Sequence, residues 1–321
     1  MNDLYFPPVA LFRFAVTATT PIELPPYTGS MWRGALATAF RQSVCVPRVP
    51  SCAGCLITDF CAFFRFFEDG APADQPPARF HDTSRPYVLN LLEPGNRTAQ
   101  PGEPLAVGLT LIGDSIDFLP YWIYAFQRAG ELGLGRGRGH DRGQFELTQV
   151  AQETALGSDV WSPLWQPGAE HCALLEPAAV VLPAPPAAAV IELPTPLRIK
   201  RRGDWVDAAS FTAAEFLYHL CQRLDRLDAL FGAADAPACY WERHRECIQA
   251  LPPAAAELHW HDWTRYSSRQ QQHMKLGGLM GRFRVPDAAL PELWPLLWLG
   301  QYVHIGKNTS FGLGAYRVLT E

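Results

Sequence analysis

An order of elements that occurs twice along the chain restricts the fold more than any single motif does. In the first half, 11-LFRFAVTA-18 alternates and is rich in β-formers, which predicts a strand. After 25-PPYTG-29, the stretch 30-SMWRGALATAFRQS-43 sets Trp32, Ala35, Leu36, Ala39 and Phe40 at helical spacing, with Arg33, Ala37 and Arg41 along another face. RPYVLNLL and PLAVGLTLIG read as strands. 115-SIDFLPYWIYAFQRAGELG-133 reads as a helix with Leu119, Trp122, Ile123 and Phe126 on one side. The loop 133-GLGRGRGHDRG-143 then leads to the strand QFELTQV.

The second half repeats the pattern. VIELPTPLRIK is a strand, and 211-FTAAEFLYHLCQRLDRLDALFG-232 is a helix opened by Thr212 and Glu215 in capping-box spacing. ELHWHDWTRYS and KLGGLMGRFRV read as strands. 287-DAALPELWPLLWLGQYV-303 is a helix whose prolines belong in its first turn or bend it. The loop 304-HIGKNTSFGLG-314 and the strand AYRVL close the chain. Each half therefore reads β-α-β-β-α-(glycine loop)-β, the ferredoxin-like unit that the RNA-recognition module also uses. The expected fold is α+β, with tandem ferredoxin-like domains and a cysteine-rich insert in the first. The expected boundaries are residues 1–162, a Pro/Ala-rich linker over 163–189, and a second domain over 190–321.

The 321 residues are 48% hydrophobic, and no run approaches the roughly 18 apolar residues that a membrane span needs. The start, MNDLYFPPVALFRFAV, has Asp3 where a signal peptide carries a cation, and prolines interrupt it. A soluble cytoplasmic protein with no membrane partner is expected. The net charge of -5 does not suggest a nucleic-acid binder, but the charges are segregated. Residues 24–58 hold Arg33, Arg41 and Arg48 without an acid. Residues 264–286 hold Arg265, Arg269, Lys275, Arg282 and Arg284 without one, and residues 301–319 hold Lys307 and Arg317. Such stretches make a local positive field inside a mildly acidic chain.

The two glycine loops stand at matched places, each between a second helix and a last strand. One carries Arg136, Arg138 and Arg142. The other carries Lys307, Asn308, Thr309 and Ser310 among Gly306, Gly312 and Gly314. Neither is a Walker loop, since Gln301 stands where the first glycine would be and Asn308 replaces the hydroxyl residue. Neither opens a helix after a first strand, as a dinucleotide fingerprint must. Their glycines either permit tight turns alone or let backbone N–H groups approach phosphates; cations in both loops point to phosphate contact.

Four cysteines fall in 45-CVPRVPSCAGCLITDFC-61, with a C-x-x-C turn at Cys52 and Cys55 flanked by Cys45 and Cys61. Four thiolates with that reach suit a structural tetrahedral zinc, and they also suit an iron–sulfur cluster. His304, just ahead of Lys307, either exchanges protons near neutral pH or ends the preceding helix. Tyr27 is either an active-site phenol or a packed aromatic.

PPYTGSMWRGAL, GLGRGRG, DWTRYSSRQ, MKLGGLMG and above all HIGKNTSFGLGAY resemble the CRISPR-associated RAMP superfamily. Within it they are most similar to the endoribonuclease that cuts precursor CRISPR RNA in its repeats. The resemblance implies repeat binding and metal-independent cleavage, in which the upstream 2′-hydroxyl attacks and a cyclic phosphate and a 5′-hydroxyl result. By resemblance Lys307 matches the glycine-loop position and Tyr27 stands where some relatives have an active-site aromatic; the expected catalytic set adds His304 as acid or base and Arg41 or Arg33 as a charge stabiliser. The acid-free stretches and the two glycine loops give the expected RNA contacts: Arg33, Arg136, Arg138, Arg142, Arg265, Arg269, Lys275, Arg282, Gly306, Asn308, Thr309, Ser310, Gly312 and Gly314. A CRISPR effector complex is a further implied partner. The chain departs from its active relatives in one respect. They carry an acid–base histidine on or just after the first helix, where this sequence has Phe40, Arg41 and Gln42. Three expectations follow: His304 takes the role, the arginines act by positioning alone, or the protein binds RNA without cutting it.

Overall fold

A computed structural model describes residues 6–68, 84–93, 95–135, 142–173, 182–232, 239–267 and 272–320. The chain divides into two compact units. One comprises residues 9–180; the other comprises residues 181–321 together with the first eight.

In the first unit the elements run β1 (Val9–Ala18), β2 (Ile22–Leu24), α1 (Gly29–Val44), α2 (Ala62–Phe67), β3 (Tyr87–Leu91), β4 (Arg97–Ala99) and β5 (Pro104–Ile112). They continue with α3 (Leu119–Leu132), β6 (Phe145–Glu153) and β7 (Trp161–Trp165). The main sheet has the order β3-β5-β1-β6-β7, and every neighbouring pair is antiparallel. β1 pairs Phe12 with Leu109 and Phe14 with Val107 on one side, and Phe14 with Val150 on the other. Because side chains alternate along a strand, Ala10, Phe12, Phe14 and Val16 share one face, and all are buried. Phe14 stacks on Phe126 of α3 with ring centroids 4.0 Å apart, and Trp32 of α1 meets Phe126 at 6.0 Å. Full burial of such side chains stabilises by about 1.5–3 kcal/mol each, so the helices are fixed by their aromatic stripes. Helix α2 adds Phe66, which lies edge-on to Trp122 at 5.2 Å.

The second unit runs β8 (Ala189–Leu197), β9 (Lys200–Arg201), β10 (Asp204–Trp205), α4 (Ala213–Phe231), α5 (Tyr240–Gln249) and β11 (Ala256–His261). It continues with β12 (Thr264–Ser267), β13 (Gln272–Lys275), β14 (Gly278–Val285), α6 (Leu290–Val303) and β15 (Arg317–Thr320). Its main sheet is β11-β14-β8-β15, again antiparallel throughout. Thr212 caps α4, its hydroxyl accepting the Glu215 N–H at 3.1 Å as the capping-box spacing predicts. Phe216 of α4 packs between Phe283 and Tyr316 at 4.9 and 5.1 Å. The Tyr316 hydroxyl donates to the Leu297 carbonyl of α6 at 2.7 Å. In both units the first strand lies between the third and fourth of the repeated pattern, which is the ferredoxin-like arrangement.

Differences from the sequence reading are local. Residues 163–165, expected to open the linker, end the edge strand β7, where Val150 pairs with Trp165 and Leu164 is buried. An edge strand tolerates Pro163 there. Helix α5 was not anticipated; its N-terminal Tyr240 and Trp241 N–H groups are met by the Asp225 carboxylate. Among the described residues no helix is long and apolar enough to cross a membrane.

Candidate nucleic-acid interface

Where α6 ends, the terminal loop folds flat onto the end of β8. The Ile305 N–H donates to Gly314 at 2.9 Å, Lys307 to Arg198 at 2.9 Å, and Gly314 to Pro196 at 3.1 Å. The Thr195 hydroxyl donates to the Gly312 carbonyl at 3.0 Å and accepts from the Ala315 N–H at 2.9 Å. A short 3-10 turn, Thr309–Phe311, sits between Asn308 and Gly312, both left-handed. A Cβ at Gly306 would stand 2.4 Å from the Arg198 carbonyl oxygen, and one at Gly314 only 1.8 Å from that of Ile305. Both residues have positive φ, so packing alone requires glycine at these two positions. Thr309 and Ser310, expected to face a phosphate, are buried instead, because the 3-10 turn carries them inward. Lys307 and Asn308 are half-buried at the surface.

His304 is 2% exposed, with Nδ1 3.2 Å from the Leu313 carbonyl. Burial pushes its pKa down to about 3, and the Arg223 charge acts in the same direction. Arg223 itself donates to the Val303 carbonyl at 3.1 Å. His304 thus faces inward at the end of α6, where burial disfavours the protonated form that proton exchange near neutral pH would need.

The sequence reading overlooked a short basic hairpin beside this loop. In 198-RIKRRGDW-205, strands β9 and β10 join through Arg202 and Gly203, both with positive φ. Four cations in residues 198–202 were a usable signal, masked by the acid at Asp204. Arg198 is 8% exposed; its Nη1 donates to the Gly277 carbonyl at 2.6 Å, and its guanidinium lies 4.3 Å from the Trp205 ring centre. Burial lowers its pKa. The Lys200 ammonium lies 4.7 Å from the same ring. Arg201 is paired with Glu215 at 3.7 Å, and Glu215 also faces His219 at 3.2 Å.

On α1, Arg33 lies 5.7 Å from the Phe67 ring and Arg41 5.5 Å from that of Phe63; Arg41 also donates to the Val49 carbonyl. The Tyr27 phenol, just before α1, has its pKa raised by burial, so it can donate a hydrogen bond but is no base near neutrality. Arg282 is exposed and paired with Glu192 at 2.6 Å. Arg142 is half-buried beside the bridge Leu134↔Gly143. Arg136, Arg138 and Arg269 lie outside the described residues. Arg265 and Lys275 belong to the β12–β13 hairpin, and their side chains are likewise outside them.

Of the cysteines, Cys45 ends α1 and Cys61 precedes α2, while the Cys55 N–H donates to the Cys52 carbonyl at 3.1 Å across a turn. All four are half-buried thiols outside any disulfide. Among the described residues no three His, Cys, Asp or Glu side chains are arranged to hold a metal ion. Burial raises the pKa of the Cys52 thiol, and Cys61 and Cys45 are close enough to act on it electrostatically in the same direction.

Residues 6–177 match the family model AF_1859_N, described as an N-terminal domain. Residues 191–316 match the model of the CRISPR-associated endoribonuclease Cas6. A protein of Archaeoglobus fulgidus, described as uncharacterized, is 23% identical over 307 residues, which cover 92% of this chain and 93% of the relative. A chain of a partial Cas6-RT-Cas1–Cas2 complex has a TM-score of 0.56 at 15% identity over 99% of this chain. The present chain spans 47% of that longer one. A Cas6 product complex has a TM-score of 0.54 at 14% identity, covering 97% of this chain and 99% of that one.

Proposed function

Because the chain belongs to the AF_1859_N family in its first half and, as a precursor-CRISPR-RNA-processing protein, to the CRISPR-associated RAMP superfamily, we propose that it cuts precursor CRISPR RNA within the repeats. The observation that carries this reading is the match of residues 191–316 to an endoribonuclease family, in a unit whose terminal loop is closed onto β8 beside a basic hairpin. The upstream 2′-hydroxyl attacks the scissile phosphorus and the bond to the 5′-oxygen breaks. The products are a 2′,3′-cyclic phosphate and a 5′-hydroxyl, and no metal takes part.

Such a reaction needs the attacking hydroxyl aligned and the extra charge on phosphorus offset. Lys307 offers positive charge from the second unit; the first unit, taken by itself, offers the α1 arginines Arg33 and Arg41 and the Tyr27 phenol as a hydrogen-bond donor. His304 is given no proton to move. Cleavage by positioning and charge alone is slower than cleavage helped by an acid–base pair, which contributes roughly 10²–10⁴-fold. The guide RNA produced is then passed to, or kept within, a CRISPR effector complex.

The burial of His304 favours a second reading, in which the protein holds guide RNA without cutting it. Incubating full-length protein with its CRISPR repeat RNA in EDTA separates the two. Discrete cleavage is expected; a gel shift with intact RNA would establish the binding subunit instead.

A further inference from the structure

The geometry points to a phosphate site formed by Arg198 and Lys200 on either flank of the β9–β10 hairpin start, braced by Trp205, that takes a backbone phosphate of the RNA strand beside the terminal loop. It rests on the ribonuclease reading above for the identity of its occupant, and on the second unit alone for its existence.

The first support is an uncompensated charge. Arg198 is almost wholly buried, yet among the described residues no carboxylate comes within ion-pair distance of it. Among the same residues its Nε is buried and meets no hydrogen-bond partner, and the contacts of its guanidinium are the Gly277 carbonyl and the face of the Trp205 indole. Several exposed or half-buried cations of this unit do have carboxylates: Arg201 has Glu215, Arg282 has Glu192, Arg284 has Asp287 and Arg245 has Glu242. Arg198 differs from these four in being both buried and without one. A buried charge is normally paired, and one held without a counter-ion is unfavourable in the protein alone.

The second support is a second cation held against the same indole. The Lys200 ammonium rests over the same Trp205 ring, and Trp205 is 38% exposed, so the arrangement opens to solvent. Cation–π attraction to one indole holds both cations, but it does not cancel the repulsion between them. An anion bound to both would.

The third is position. The Arg198 carbonyl accepts the Lys307 N–H and lies against Gly306, so this residue forms the floor of the terminal loop. A phosphate held by the Arg198 guanidinium and the Lys200 ammonium would be close along the strand to the phosphate that Lys307 serves. Guanidinium donors spread in a plane suit phosphate oxygens, and a lysine adds a mobile point charge. The group taken is a phosphate monoanion, whether in a strand or as a small molecule, and the experiment distinguishes those sources.

The test uses Arg198→Met, Lys200→Ala and the control Arg245→Ala, whose partner Glu242 lies on the same helix, in the full chain. Thermal unfolding is recorded with inorganic phosphate and with chloride at matched ionic strength. Phosphate is expected to raise the midpoint of the wild type and of the control, and to lose most of that effect in the two variants. Without phosphate, Arg198→Met should unfold no earlier than the wild type, since it removes an unpaired buried charge. Binding of single-stranded repeat RNA is then followed against salt. Each lost phosphate contact should make the slope of log affinity against log salt shallower by about 0.7. If Arg198→Met does not fold, Lys200→Ala, on the exposed hairpin, decides alone. A phosphate effect that survives both variants overturns the site. A phosphate effect that vanishes while the RNA slope stays unchanged overturns its occupant. Wild-type protein that binds no repeat RNA refutes the ribonuclease reading and the RNA occupant together, but a phosphate shift lost in the variants would still support the site.

Discussion

Replacing Gly314 by alanine discriminates between two meanings of the terminal glycines. If they exist to let phosphate approach the backbone, a methyl group should weaken RNA binding and leave the fold alone. The structure requires the reverse. The new Cβ would lie 1.8 Å from the Ile305 carbonyl oxygen and 2.9 Å from its carbon, both backbone atoms that cannot swing aside. With φ at +69°, the residue also takes a left-handed conformation that an L side chain adopts at a penalty of about 1–2 kcal/mol. Moving the loop away breaks the Ile305–Gly314 and Gly314–Pro196 hydrogen bonds, each worth about 1 kcal/mol net. The sum is roughly 3–4 kcal/mol, or a fall in midpoint of about 6–16 °C for a unit of this size. Gly168→Ala is the control, because it shares a positive φ but has nothing within 4 Å of its Cβ, so only the conformational penalty of about 1 kcal/mol remains. Differential scanning calorimetry of the full chain gives both values, read as the fall in midpoint of the second unit's transition for Gly314→Ala and of the first unit's for Gly168→Ala. Equal falls for the two variants, with RNA affinity lost only in Gly314→Ala, would refute the packing argument.

Two further outcomes follow from buried groups. The folded chain keeps His304 neutral down to about pH 3, whereas an unfolded imidazole takes up its proton below about 6.5. Acid therefore favours the unfolded chain. The contribution is fully present above about pH 6.5 and declines by about 1.4 kcal/mol per pH unit between there and about pH 3. Urea unfolding of wild type and His304→Gln at a series of pH values should show the steeper decline only in the wild type; parallel declines would contradict the burial. In the first unit, Trp122 is fully buried among Phe40, Phe66 and Tyr87 at 5.3, 5.2 and 4.9 Å. Trp122→Ala should lower stability by about 3–5 kcal/mol, read as an early unfolding transition of that unit; a loss under 1 kcal/mol would mean the cluster is not its core.

The repeated β-α-β-β-α-β order was legible because each long element carries a clear period, as in the alternation of Phe12, Phe14 and Val16 or the stripe from Phe216 to Leu227. Helix α5 was not legible, since Tyr240, His244 and Ile248 are its only buried residues and their neighbours are charged. Helix α2, six residues of AFFRFF, has too little length for a period to show. The site was read less well than the fold. Asn308, Thr309 and Ser310 were recognised as a loop, but which atoms turn inward depends on a 3-10 turn closed by Thr195 from a strand far away in sequence. His304 drew attention through its neighbour Lys307, while its burial is decided by Arg223, Leu313 and the end of α6. The hairpin at 198–205 does not stand out as an acid-free stretch, because Asp204 interrupts the run, and the unpaired charge on Arg198 is a property of burial alone.

The central claim is tested most directly by the chemistry of the ends. Full-length protein is incubated in EDTA with a repeat transcript and, in parallel, with the same transcript carrying a single 2′-deoxy nucleotide upstream of the cut; both products are then weighed by mass spectrometry. The expected result is a 2′,3′-cyclic phosphate and a 5′-hydroxyl from the all-ribose strand and an intact deoxy-substituted strand. Cleavage of both strands, or ends bearing a 5′-phosphate, would contradict attack by the RNA's own hydroxyl.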